Sequence, residues 1–150
     1  MNDPWHRWLF LGQLAATLYM TGLIWFVQIV HYPLFGGVGR AVFAAYEQRH
    51  SALTTWVVAP PMLVELAAAL ILLWLRPPQL SLPLLWASAA LLAVIWLSTY
   101  LIQVPCHSRL VAGYDESIHR WLVVSNWIRT AAWTARAALL LGIVDRLIGR

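Results

Sequence analysis

From Trp8 to Val30 the chain carries no charged side chain, and from Leu80 to Val104 it again carries none. A hydrocarbon core of about 30 Å is crossed by roughly 20 apolar residues as a helix, because every backbone N–H and C=O must be paired within the segment. Two further stretches meet that length, Ala52 to Leu75 with Glu65 as its only charge, and Trp121 to Val144 with Arg129 and Arg136. This pattern predicts an all-α polytopic membrane protein, a four-transmembrane-helix antiparallel bundle. Residues 1–150 form its single transmembrane domain, with spans at about 8–30, 52–75, 80–104 and 121–144. An apolar share of 61% excludes a water-soluble globule of ordinary composition. The first span is too long for the apolar region of a secretion signal and lacks a small-residue cleavage site before His31-Tyr32-Pro33, so it reads as retained.

The connections differ in kind. Arg76-Pro77-Pro78-Gln79 is a tight helix stop that forces a hairpin between the second and third spans. Pro33 and the turn Gly36-Gly37-Val38-Gly39 are expected to end the first helix, while Ala41 to His50 contains no breaker and extends the second helix outward. Pro60-Pro61 inside the second span predicts a kink. Gln28, His31 and Pro33 followed by Tyr46, Glu47 and His50 have a faint echo in Gln103, Pro105 and His107 followed by Tyr114, Asp115 and His119, so a duplicated helix pair stands beside chance similarity of two apolar hairpins.

All ten basic residues are Arg, the net charge is +4, and no basic run occurs. That spread fits anchoring at a lipid bilayer and gives no nucleic-acid footprint. Arg7, Arg76, Arg146 and Arg150 lie on the side of the termini, against Arg40, Arg49, Arg109 and Arg120 opposite. The numbers are equal, but the terminal side keeps its arginines close to the bilayer, which places the termini in the cytoplasm of a bacterial inner membrane. A lone cysteine, Cys106, excludes a disulfide framework and a multi-cysteine metal site, and reads as a plain loop cysteine. No phosphate-binding glycine loop, nucleophile elbow or dinucleotide fingerprint is present.

Helical phase carries more than hydropathy here. At about 100° per residue, Gln13, Thr17, Thr21, Gln28 and His31 share one stripe of the first helix. Glu47, Thr54 and Glu65 share a stripe of the second, with His50 close by, and Asn126, Arg129, Trp133 and Arg136 share a side of the fourth. Polar groups facing lipid cost several kcal/mol each, so the stripes should face one another. Glu65 and Arg136 lie at similar depth and are expected to pair, leaving Arg129 nearer the surface as a second intramembrane cation. Such a pair fixes helix register, or contributes to a site that holds an anionic or oxygen-rich ligand. Trp5, Trp8, Trp74 and Trp121 make an interface belt; Trp25, Trp56, Trp86, Trp96, Trp127 and Trp133 are expected to pack inside or to wall a ligand.

Alternating topology brings His31, His50, His107 and His119 to one membrane face, with His6 at the other. Glu47 and His50 have the Glu-x-x-His spacing that presents a carboxylate and an imidazole to one metal. His31, Glu47, His50 and His107 are therefore the candidate metal ligands, for a transition metal such as Fe, Cu or Zn. Interfacial hydrogen bonding to headgroups, and metal-free acid–base or quinone-type binding, stand beside that reading.

The segments Gln28-Ile29-Val30-His31-Tyr32-Pro33, Tyr46-Glu47-Gln48-Arg49-His50, Val104-Pro105-Cys106-His107-Ser108-Arg109-Leu110 and Asn126-Trp127-Ile128-Arg129-Thr130 resemble small bacterial four-helix membrane proteins. More distantly, the layout is similar to the anthrone oxygenase-like membrane family, although His107 or Ser108 stands where that family's turn usually carries Asn. The resemblance implies a pocket near the histidine face and oxidation of an aromatic or quinonoid small molecule, with Arg129 and His107 as counterparts of motif residues. Two functions are expected on these grounds. One is a membrane oxidoreductase acting on a hydrophobic small molecule, with His107, Arg129, Arg136 and Glu65 in catalytic roles. The other is a non-enzymatic binding or assembly module in which Glu65 and the two arginines only set helix packing.

Overall fold

A computed structural model describes residues 3–149; Met1, Asn2 and Arg150, the last of which bears on orientation, lie outside it. The chain is helical almost throughout: α1 (Pro4–Phe26), a π-helical stretch (Val27–His31), α2 (Tyr32–Leu34), a 3-10 turn (Phe35–Gly37), α3 (Arg40–Leu75), α4 (Leu82–Ser98), a second π-helical stretch (Thr99–Gln103), α5 (Val104–Leu110) and α6 (Glu116–Ile148). The continuous rods Pro4–Gly37, Arg40–Leu75 and Leu82–Leu110 are long and apolar enough to cross a membrane. The fourth rod, α6, has 33 residues and carries Arg120, Arg129 and Arg136.

Local chemistry sets the ends. Asp3 caps α1 by accepting from the Trp5 N–H at 2.9 Å, with Pro4 in the first turn where its missing N–H costs nothing. Asp115 caps α6, accepting from the Ser117 and Ile118 N–H groups at 2.8 and 3.0 Å and from the Ser117 hydroxyl at 2.6 Å. The Ser117 hydroxyl first, and the Ile118 N–H next, hold the Asp115 carboxyl below the usual carboxylate range. Arg76 ends α3 in the left-handed conformation (φ 47°), its N–H returning to the Leu72 carbonyl, and the Pro77-Pro78 hairpin comes next as expected. Gly113 supplies a positive φ of 143° between α5 and α6.

Two sequence expectations change. The first helix does not stop at Pro33 but runs on to end at the glycine turn, as the other half of that expectation has it, and the third does not stop at Pro105. In both, the turn before the proline widens: the Tyr32 N–H reaches the Val27 carbonyl, and the Val104 N–H reaches Thr99, each five residues back. Proline in an ordinary helix leaves one carbonyl unpaired and presses on the carbonyl four residues behind. The wider turn relieves that crowding, so the rods continue to Gly37 and Leu110, and Cys106 lies buried in α5 and not in a loop. The same backbone device occurs in each half of the chain, two residues before a proline. The extension over Ala41–His50 is present, and α3 runs unbroken through Pro60-Pro61.

The long rods form a ring in which α1 packs on α3 and α6, and α4 on α6 and α3. Three apolar clusters stack along its axis: Phe10, Leu72, Leu85 and Leu140 toward the termini, Met20, Met62, Ile95 and Trp133 in the middle, and Tyr32, Phe35, Phe43 and Leu122 at the histidine end. Of the tryptophans expected inside, Trp133 is fully buried, whereas Trp25, Trp56, Trp86 and Trp127 face outward. An outward indole carries no penalty where it faces lipid.

Candidate functional site

The four histidines expected at one end surround a single ring. Phe35, fully buried on the 3-10 turn, has its centroid 5.0 Å from His50, 5.2 Å from His31, 6.1 Å from His119 and 6.4 Å from His107. Tyr46 lies parallel to the His50 ring, with a 6.3 Å centroid separation. Aromatic contacts on several sides leave these imidazoles little rotational freedom.

His31, His50 and His107 converge, and Glu47 joins them. The His107 Nδ1 lies 2.5 Å from the Glu47 Oε1, which also accepts from the Ser51 hydroxyl at 3.1 Å. The His31 Nε2 and the His50 Nδ1 are 3.1 Å apart, with the Thr54 hydroxyl also 3.1 Å from that His50 nitrogen. One ligand atom each from Glu47, His50 and His107 falls within a mutual 4.8 Å. Glu47 is fully buried, yet its Oε2 has no hydrogen-bond partner among the described residues. A buried carboxylate oxygen left without a donor is unfavourable by roughly 1–3 kcal/mol or more, and a cation at that point removes the deficit.

A directional relay leads into this carboxylate. The Arg129 Nη2 donates to the Tyr32 Oη at 3.2 Å, and the Tyr32 Oη lies 2.9 Å from the His107 Nε2. With Arg129 donating, the phenol proton is available to His107, and the His107 Nδ1–H then points at Glu47. Four elements, α6, α2, α5 and α3, contribute one residue each. Arg129 is held in place by the Asn126 Oδ1, at 2.9 Å from Nε and 2.5 Å from Nη2, and by the Gln103 Oε1 at 3.4 Å. Asn126 donates in turn to the Gln28 Oε1 at 2.9 Å. Among the described residues Arg129 has no carboxylate partner, so its charge is balanced by neutral oxygens alone.

Beside this network lies a cavity of about 490 Å³. His31, His50, His107, Tyr32 and Arg129 line its polar end, and Met20, Ile24, Val58, Met62 and Trp133 supply apolar wall. Borderline nitrogen and oxygen donors of this kind suit Zn, Cu or non-haem Fe. Tyr32 on the far nitrogen of His107, and His31 against His50, are contacts of the kind that would orient these imidazoles toward a metal.

The remaining candidates lie elsewhere. Glu65 and Arg136 are both fully buried and form the expected ion pair. The Thr17 hydroxyl donates to the Glu65 Oε1 at 2.6 Å, the Trp133 Nε1 donates to the Glu65 Oε2 at 3.0 Å, and the Arg136 Nε donates to the Ser88 hydroxyl at 3.2 Å. Neither Glu65 nor Arg136 lines the cavity. His119 is spent on structure, its Nε2 at 2.8 Å from the Tyr32 carbonyl and its Nδ1 at 3.1 Å from the Tyr114 hydroxyl. Tyr32, Phe35 and Gln103 were given no site role from the sequence. Proline two residues after His31 and after Gln103 is the trace they leave, because the widened turn re-aims the side chains around it. No protein-family model, curated protein or solved structure matches the chain.

Proposed function

We propose that this protein is a four-span inner-membrane metalloprotein with cytoplasmic termini. In this reading it holds a divalent transition metal on Glu47, His50 and His107, with His31 as the adjoining nitrogen, and presents it to a hydrophobic, oxygen-bearing small molecule in the cavity. The observation that carries the reading is the fully buried Glu47, one oxygen of which is unpartnered, with a carboxylate oxygen within 4.8 Å of a ligand nitrogen on each of two imidazoles. Holding a metal on the His107 Nδ1 would require the tautomer with its proton on Nε2, facing the Tyr32 Oη, since metal ligands bind deprotonated. Arg129, facing the same cavity without a carboxylate partner, supports the choice of an oxygen-rich or anionic head on the ligand. Bound Fe or Cu would supply redox chemistry at such a molecule, in keeping with the oxidation of an aromatic or quinonoid compound that the resemblance to the anthrone oxygenase-like family implies.

Elemental analysis of protein purified in mild detergent tests this. About one equivalent of a transition metal, lost in Glu47→Gln with helicity intact, is the expected result; wild-type protein that neither carries nor takes up metal defeats it. The second reading, a non-enzymatic packing module, draws on the Glu65–Arg136 pair, whose bonding to Thr17, Ser88 and Trp133 suits a register-setting role. Metal-free protein of unchanged stability would favour it.

A further inference from the structure

The cavity is polar at one end only and open at its sides. Leu53, Val57 and Phe26 line it on one flank of α3, while Thr55, Val104 and Ser108 line it on the other, and all six are exposed. Four of these six are apolar side chains on rods of membrane-crossing length, so in a bilayer the openings would face hydrocarbon as well as water.

A second cavity of about 450 Å³ runs along the same seam between α3 and α4, bordered by Leu66, Ala69 and Leu70 on one wall and Ala89, Ala93 and Leu97 on the other. The two are neighbours along both walls. Met62 of the first is one helical turn from Leu66 of the second, and Thr99 of the first adjoins Tyr100 of the second. On α3, Thr55, Met62, Leu66 and Ala69 fall within about 60° of one another, so the groove stays on one face as it descends. Alanines at 69, 89 and 93 leave room where larger side chains would close it.

We infer that the ligand is a bilayer-dissolved, single-chain amphiphile, its compact oxygen-bearing head beneath Arg129 and the histidines and its long apolar chain lying along the α3–α4 groove. The inference rests on the cavity being the ligand site proposed above and adds the chain, the route and the groove. Charge complementarity fixes the polarity of the molecule: the buried cation lies in the first cavity, and the second has an almost wholly apolar lining. A water-borne ligand would gain nothing from the second cavity. A chain-bearing one buries its methylenes there and is delivered at the high local concentration of the membrane.

The test compares two probes, a benzoquinone bearing a decyl chain and the same ring bearing a methyl group, by quenching of tryptophan fluorescence in wild type and Ala93→Phe. Ala93 is exposed, so the added ring occupies the groove without entering the core. The expected result is about tenfold weaker binding of the decyl probe to Ala93→Phe, the effect of displacing roughly two methylenes, with the methyl probe unchanged. Both proteins face the same detergent, so partitioning cancels. Equal decyl affinity in the two proteins, or no binding of either probe, overturns the inference. So does a change from dimer to monomer in Ala93→Phe, which would assign the groove to a second copy of the chain. Metal content measured on the same samples separates the two ideas: groove dependence without metal defeats the metal centre alone, and metal without groove dependence defeats the chain alone.

Discussion

Glu47 and His107, 60 residues apart in sequence, meet at 2.5 Å where α3 passes α5, and that contact joins the two halves of the chain at the candidate metal centre. Its carboxylate is the only acidic group in the cluster. Glu47→Gln keeps the shape and removes the charge. The expected outcome is at least about 100-fold weaker metal binding, measured by competition with a chromogenic chelator, with an unaltered far-UV spectrum. Wild-type affinity in this variant would rule Glu47 out as a ligand.

Tyr32→Phe removes one hydroxyl that touches both His107 and Arg129. Because it acts on the imidazole and not on the metal, the loss should be smaller, about 10- to 100-fold in metal affinity. The fold should persist, since the ring stays packed against Phe35 and His107. A Tyr32→Phe protein that binds metal as wild type does would leave the relay without a role in orienting His107.

Glu65→Gln leaves Arg136 buried without its counter-charge. Breaking a buried pair in this way typically costs about 3–5 kcal/mol, enough to reduce folded yield sharply. The double variant Glu65→Gln, Arg136→Met should recover much of the loss, because it removes the stranded charge as well. Thermal denaturation in detergent reads both. A single variant as stable as wild type would mean that the pair does not hold the bundle.

Asp115 gives a pH dependence. Its carboxyl is held below the usual range in the folded chain, so its contribution to stability is present above the ordinary carboxylate value of about 3.9 and fades as pH falls through the lower folded value. The difference in thermal stability between wild type and Asp115→Ala should therefore be constant at neutral pH and close below about pH 4. A gap that widens on acidification would contradict the capping role.

The polar seam was legible because helical phase survives even in a saturated apolar sequence: Gln13, Thr17, Gln28, Glu47, Glu65, Asn126, Arg129 and Arg136, all placed on inward stripes, are all buried. Equal depth was enough to pair Glu65 with Arg136, and alternating direction was enough to gather four histidines. Tyr32 escaped because phase counting assumes 3.6 residues per turn, and the turn before it is wider. The division of labour among the histidines was also hidden. Whether His107 or His119 meets Glu47 depends on how far α5 continues past Pro105, and proline rules alone stop that helix too early.

The widened turns make the site depend on a count. Each holds one residue more than an α-helical turn requires, so the rod beyond it keeps the phase it would have without that residue, and the side chains past Val27–His31 stand about 100° from where unbroken α-helical counting puts them. Ordinary winding through the same residues would turn Tyr32 out of the cavity while composition, apolar length and the Glu65–Arg136 pair stayed as they are. A chain of nearly identical sequence could thus keep this bundle and lose its chemistry through the winding of one turn, and residue-by-residue similarity would register almost nothing.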